Sequence, residues 1–136
     1  MTPQEMADLV QLRRARDRMD RDYAEPLDVM ALARTACMSP SHFARKFLAT
    51  FGETPYSYLM TRRIERAKVL LRHGASVTEA CVEVGYSSLG SFSTLFSEIT
   101  GETPSQYAAR DHRQLEVMPP CMSKFVTRPR RDAMSH

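Results

Sequence analysis

The chain has 136 residues, with 19 Lys and Arg against 16 Asp and Glu, a formal charge of +3, and 43% hydrophobic and 26% charged residues. This is the composition of a folded domain; it excludes a disordered chain, and no apolar run approaches the roughly 20 residues of a membrane span. Met1 to Asp20 is charged where an export signal needs an apolar stretch, and the three distant cysteines, Cys37, Cys81 and Cys121, form neither a disulfide framework nor a zinc motif. The expectation is a cytoplasmic protein with reduced thiols, no cofactor, no metal and no membrane partner.

Taken in chain order, the first predicted helix lies near 5–21. There Arg13, Arg14, Arg16, Arg18 and Arg21 alternate with Asp17, Asp20 and Asp22, which reads as a solvated face of i, i+4 pairs. A short helix follows near 28–36, on Val29, Leu32 and Ala33. Ser39 suits an N-cap with Pro40 at N1, and Phe43, Phe47 and Phe51 mark one face of a helix over 40–51. Gly52 fits the left-handed position that ends it. Thr54 and Pro55 open a long helix over 55–73, with Leu59, Met60, Ile64, Ala67, Leu70 and Leu71 on one side. Ser76 and Glu79 have the spacing of a capping box for a helix over 77–84. Phe92, Leu95, Phe96 and Ile99 give a helix over 88–99, closed by Gly101, and Thr103 with Pro104 opens the last one near 104–110. Pro119-Pro120 and Arg128-Pro129-Arg130-Arg131 predict little fixed structure over 111–136. No stretch alternates as a strand does, so the expected fold class is all-α, with about seven helices.

The chain also repeats itself. At a spacing of 49 residues, Phe43 and Phe47 match Phe92 and Phe96, Gly52-Glu53-Thr54-Pro55 matches Gly101-Glu102-Thr103-Pro104, and Tyr58 matches Tyr107. A short apolar segment and a serine-bearing turn precede each copy. Short helix, turn and longer helix make the helix-turn-helix arrangement, whose second helix enters the DNA major groove. The expected organisation is a first unit over 1–54, a linker helix over 55–73 and a second unit over 74–110. A 55–73 helix would be roughly 28 Å long, comparable to the spacing of about 34 Å between successive major-groove faces. Two recognition helices would then reach adjacent grooves, and because the repeat is direct, a monomer would read an asymmetric site.

The paired Gly-Glu-Thr-Pro motifs, the segment from Arg62 to Leu71 and Val84-Gly85-Tyr86-Ser87, in this order, resemble the AraC/XylS family over about residues 8–110. The resemblance implies the DNA-binding domain of a bacterial transcription regulator, with two helix-turn-helix subdomains on a central helix. Its implied partners are double-stranded DNA and RNA polymerase, with activation as the outcome. Many members carry a separate effector domain, for which 136 residues leave no room. A short stand-alone type is therefore expected, controlled by its abundance or by a partner protein; a monomer is sufficient, with oligomers left open.

Carried over residue by residue, the first recognition helix runs from Pro40 to Thr50. Ser41, Ala44 and Arg45 face the bases there, and Pro40, His42 and Lys46 flank them. Arg45 leads the set, because a guanidinium can hold guanine O6 and N7 together. The second recognition helix runs from Ser88 to Ile99, with Ser88, Leu89, Gly90, Ser91 and Thr94 toward DNA. Arg62, Arg63, Ser87 and Ser93 are candidate phosphate contacts. The family commonly has a basic residue where this chain has Thr94, and another at Ser97.

That departure belongs to a wider asymmetry. Between Arg72 and Arg110 there is no Lys or Arg, and Glu79, Glu83, Glu98 and Glu102 make this stretch formally −4. Over 62–72, Arg62, Arg63, Arg66, Lys68 and Arg72 against Glu65 give +4. These cations either touch phosphate or face water. Since phosphate contacts supply much of a DNA binder's affinity, the first unit is expected to anchor the complex. The second adds a weak, shape-dependent contact through backbone N–H groups and hydroxyls. The alternative is a helical protein-interaction module using its acidic second unit. The Phe stripes and Cys81 read as packing, and the four histidines lack metal-ligand spacing. No nucleophile–base pair, carboxylate pair or phosphate-cradling loop appears, so no enzyme is expected.

Overall fold

Side-chain caps set most of the helix boundaries. A computed structural model describes residues 1–110; the expected tail over 111–136 lies outside the described residues. The helices are α1 (Pro3–Arg21), α2 (Val29–Thr35), α3 (Pro40–Phe51), α4 (Pro55–Arg72), α5 (Val77–Glu83), α6 (Leu89–Thr100) and α7 (Pro104–Ala109). The described residues thus form seven helices and no strand, an all-α fold, and none of these helices is long and apolar enough to cross a membrane. Ser39, Ser76 and Thr103 accept from the backbone N–H of His42, Glu79 and Gln106, each satisfying one orphan donor of a helix start. Gly52 and Gly101 stop α3 and α6 at φ 79° and 84°, a backbone region that costs any residue with a Cβ. α1 begins earlier than its charge pattern suggests, because Thr2 and Glu5 close a capping box with Pro3 at N1.

The described residues divide into two compact units, one ending at Arg62 and one beginning at Arg63, and the boundary falls within α4. In the first unit Leu12, Ala15 and Met19 of α1, Leu32 and Ala33 of α2, and Phe43 and Phe47 of α3 are buried. The Phe47 ring lies 5.6 Å from Phe43, 4.7 Å from Phe51 and 5.9 Å from Tyr58. Arg13, Arg14, Asp17 and Arg21 are exposed, as a solvated face requires, but Arg16, Arg18 and Asp20 depart from it. Arg16 lies over the Phe51 ring at 4.5 Å, and Arg18 Nη1 donates to Thr35 Oγ1 at 2.8 Å. Asp20 accepts from Tyr58 Oη at 2.7 Å and pairs with Arg62 Nε at 3.1 Å. These groups join α1 to α2, α3 and α4 rather than pairing along their own helix. Burial, reinforced by the Asp20 acceptor, holds the Tyr58 hydroxyl protonated well above the ordinary tyrosine range.

The second unit repeats this core. Phe92 and Phe96 are fully buried; Phe92 lies 5.8 Å from Tyr86, and Phe96 lies 5.7 Å from Tyr107. Phe47–Tyr58 and Phe96–Tyr107 are the same ring pair at the repeat spacing of 49 residues. Three cations gather on Tyr107: Lys68 Nζ at 5.5 Å and Arg110 Cζ at 5.2 Å from the ring, and Arg72 Nη1 donating to its hydroxyl at 3.2 Å. Burial first, then the neighbouring Arg72, lowers the Lys68 pKa from 10.5 to about 8.

This shift fixes a pH dependence. Below about pH 8 both states carry the proton, and the native state bears the full penalty of the buried charge. Between about 8 and 10.5 the unfolded chain binds a proton that the native chain has released, so the Lys68 contribution makes stability rise with pH. A Lys68→Met variant is expected to remove that rise and to be more stable than the parent near neutral pH, by about 1 kcal/mol for a group still partly in contact with water. Urea denaturation of both proteins at about pH 7 and about pH 10 measures it. An equal climb in the variant would contradict the assignment.

Candidate nucleic-acid interface

Each unit contains a short helix, a turn and a longer helix, and the two turns share one hydrogen-bond pattern. Met38 N–H reaches Ala33 O at 2.9 Å and Tyr86 N–H reaches Cys81 O at 3.0 Å, the long closing bond of a helix ended by a left-handed residue. In the second turn that residue is Gly85, at φ 92°; in the first it is Cys37, at φ 57°. A cysteine in this region carries strain that a glycine avoids. The second turn is also pinned from within, since the buried Cys81 thiol lies 3.7 Å from Tyr86 O and 3.8 Å from Ser88 O. Burial pushes this thiol up from its ordinary range, which disfavours the reactive thiolate and suits a packing residue.

With Phe43 and Phe47 buried, α3 turns its opposite face outward. Pro40, Ser41 and Arg45 are exposed, and His42, Ala44 and Lys46 are half-buried. Arg45 Nε donates to Ser41 O at 3.3 Å, which steadies the base of the guanidinium while the residue stays at the surface. Leu48 is exposed on the same face as Ser41 and Arg45, an apolar position that the sequence reading did not single out. Lys46 and His42 lean toward α1, where Asp8 Oδ2 is 3.7 Å from Lys46 Nζ and 3.9 Å from His42 Nε2. Asp8 was not among the expected site residues, because nothing in the residues flanking it marks a partner on another helix.

In the second unit Phe92 and Phe96 face inward, and Ser87, Ser88, Leu89, Gly90, Ser91 and Thr94 are exposed, with Ser93 half-buried. Ser88 caps α6 by accepting from Ser91 N–H at 3.2 Å. Leu89 is 47% exposed, an apolar side chain with the reach to meet a thymine methyl group. Gly90 sits in the first turn of α6 at an ordinary helical φ, and a Cβ built there would meet nothing closer than Ser88 Oγ at 3.9 Å. Nothing within the unit therefore requires a glycine at this position. Glu98, one turn beyond Thr94, is exposed as well and adds negative charge to this face.

Arg62 and Arg63 are placed differently from the other candidates. Arg62 is the cation paired with Asp20, and Arg63 is only 8% exposed with its guanidinium 5.4 Å from the Tyr86 ring centroid. With Lys68 and Arg72 on Tyr107, most of the 62–72 cations are engaged inside their own units; Arg66 is exposed. Arg66 thus faces water as one of the two expectations had it, whereas Arg63, Lys68 and Arg72 have partners elsewhere in their own unit that neither expectation included. Among the described residues no cluster of three His, Cys, Asp or Glu side chains has metal-binding geometry.

Comparison with known proteins agrees with this layout. A family model described as a helix-turn-helix domain matches residues 32–110, which run from within α2 to the end of the described chain. A putative AraC-like transcription regulator from Streptomyces lividans is 39% identical over 90 residues, covering 65% of this chain and 30% of that protein; the chain thus spans under a third of that relative's length. Among solved structures, the DNA-binding domain of AdpA, a global transcriptional factor, in complex with a target DNA superposes with a TM-score of 0.72. It is 28% identical, over 79% of this chain and 97% of that one. The C-terminal domain of AraT, a response regulator from Geobacillus stearothermophilus, gives 0.69 at 27% identity, over 75% and 92% of the two chains. With the family match covering more than half of its residues and the repeated helix-turn-helix units carrying it, the chain belongs to the AraC-type helix-turn-helix family.

Proposed function

We propose that this chain is a sequence-specific DNA-binding transcription regulator that inserts α3 and α6 into adjacent major grooves. The observation that carries the reading is the pairing, in both units, of a buried phenylalanine face with an exposed polar one on the second helix of the motif. Ser41 and Arg45 stand on the first such face, and Ser88, Ser91 and Thr94 on the second. Support comes from the AdpA domain, which is bound to a target DNA in its structure. Arg45 is the principal base reader, with Pro40, Ser41, His42, Ala44 and Lys46 around it, and the first unit supplies most of the affinity. The α6 face carries no cation, so it contributes through hydroxyls, backbone N–H groups and Leu89 at the open Gly90 position. Ser87 and Ser93 remain candidate phosphate contacts, whereas the engagement of Arg62 and Arg63 leaves them a smaller share.

On this reading the protein acts in the cytoplasm as a monomer on an asymmetric site and activates by recruiting RNA polymerase. Selection of bound sequences from a random duplex pool tests it. The expected motif has two parts about one helical turn apart, the first better defined. Affinity for the selected site should fall by roughly one log unit of K per log unit of salt for each phosphate contacted. A chain that binds no duplex even at low salt would overturn the proposal and leave the protein-interaction module as the reading.

A further inference from the structure

We infer that Asp8 of α1 sets DNA discrimination, acting as an internal carboxylate that competes with DNA phosphates for Lys46 and so damps indiscriminate binding. The inference rests on the DNA-binding reading above. Asp8 belongs to α1, which lies outside the stretch matched by the helix-turn-helix family model. Its Oδ2 faces Lys46 at 3.7 Å and His42 at 3.9 Å, and its Oδ1 accepts from Gln4 Nε2 at 2.9 Å. The carboxylate is held, with its side chain 13% exposed, while those of His42 and Lys46 are 41% and 35% exposed. A largely buried anion thus sits beside two more exposed nitrogen-bearing side chains at the edge of the proposed binding face.

An ion pair this close to water contributes little to folding. Its effect falls on what approaches from outside. A lysine already neutralised by a neighbour releases few counterions when it meets a phosphate, so its share of sequence-independent affinity is cancelled. Arg45, one residue before Lys46 and thus turned by about 100° on the helix, has no acidic neighbour within ion-pair distance among the described residues, and its Nε donates to the Ser41 carbonyl. The charge that reads bases stays available, and the charge that would hold any backbone is restrained. A random duplex offers phosphates alone and loses most by this. A correct site keeps the base contacts of Arg45 and loses less.

The Asp8→Asn variant tests the idea, because it keeps an acceptor for Gln4 and almost the same shape while removing the charge. For a random-sequence duplex at low salt, affinity should rise about three- to tenfold and the salt slope should steepen by about one phosphate. Affinity for the selected site should rise less, so the ratio of specific to random binding falls. Placing Asp8→Asn in a Lys46→Gln background should abolish the rise, and thermal denaturation should show all variants folded. If Asp8→Asn leaves random-duplex binding unchanged or weaker, the inference is wrong. It is equally wrong if the rise persists without Lys46, since the carboxylate would then act by repelling DNA at large. A parent chain that binds no duplex would remove the DNA reading and this inference with it. A parent that selects a site, with a variant that keeps the same ratio, would remove this inference alone.

Discussion

Phe47→Ala is expected to lower the stability of the first unit by about 3–5 kcal/mol, the range for truncating a fully buried aromatic ring. Phe47 has no exposed surface, and its ring meets Phe43, Phe51 and Tyr58 at once, so its removal leaves a cavity bordered by three aromatic rings on two helices. A single domain is stable by about 5–15 kcal/mol, and a loss of this size leaves α3 without a fixed support. Denaturant unfolding followed by circular dichroism should show an early transition absent from the parent. Phe51→Ala should have a smaller effect, since that ring is only half-buried at the end of α3. Equal losses at the two positions would mean that the core is organised differently from the ring contacts described.

The second large effect concerns recognition. Arg45→Ala should weaken binding to the selected duplex by about 1–3 kcal/mol, that is roughly 5- to 150-fold, as expected for losing a bidentate contact with guanine. Its twin by the internal repeat, Thr94→Ala, should weaken binding by no more than about threefold, because a hydroxyl near a phosphate or base edge offers one neutral hydrogen bond. Electrophoretic mobility shifts on the selected duplex measure both. A greater loss for Thr94→Ala than for Arg45→Ala would reverse the proposed division of labour between the units.

Much of this fold is written in local chemistry. Ser39 before Pro40, Ser76 with Glu79, and Gly52 and Gly101 after their helices each act within a few residues of themselves, and each appears where the sequence places it. The repeat extends this to the core, since matched phenylalanines at matched spacing bury matched faces. Interactions between helices were less legible. Arg16, Arg18 and Asp20 look like a solvated ladder when only their own helix is considered, yet Phe51, Thr35, Tyr58 and Arg62 are distant in sequence. Arg63 likewise reads as a surface cation until Tyr86 lies beneath it. Cys37 had a visible clue: in the equivalent turn the second copy places Gly85, and one residue type that tolerates the left-handed region marks the strain on the other.

Gly90 sets stability against recognition at a single position. Helix propensity favours alanine over glycine by up to about 1 kcal/mol, and the surroundings would admit the methyl group without a clash. A designer seeking heat resistance would therefore make that exchange early, and would have no warning from the folded protein itself. On the proposed reading the vacancy belongs to the docked duplex, and the added carbon would stand between α6 and the groove floor. A sturdier version of this chain made by such rules would be a blunter reader.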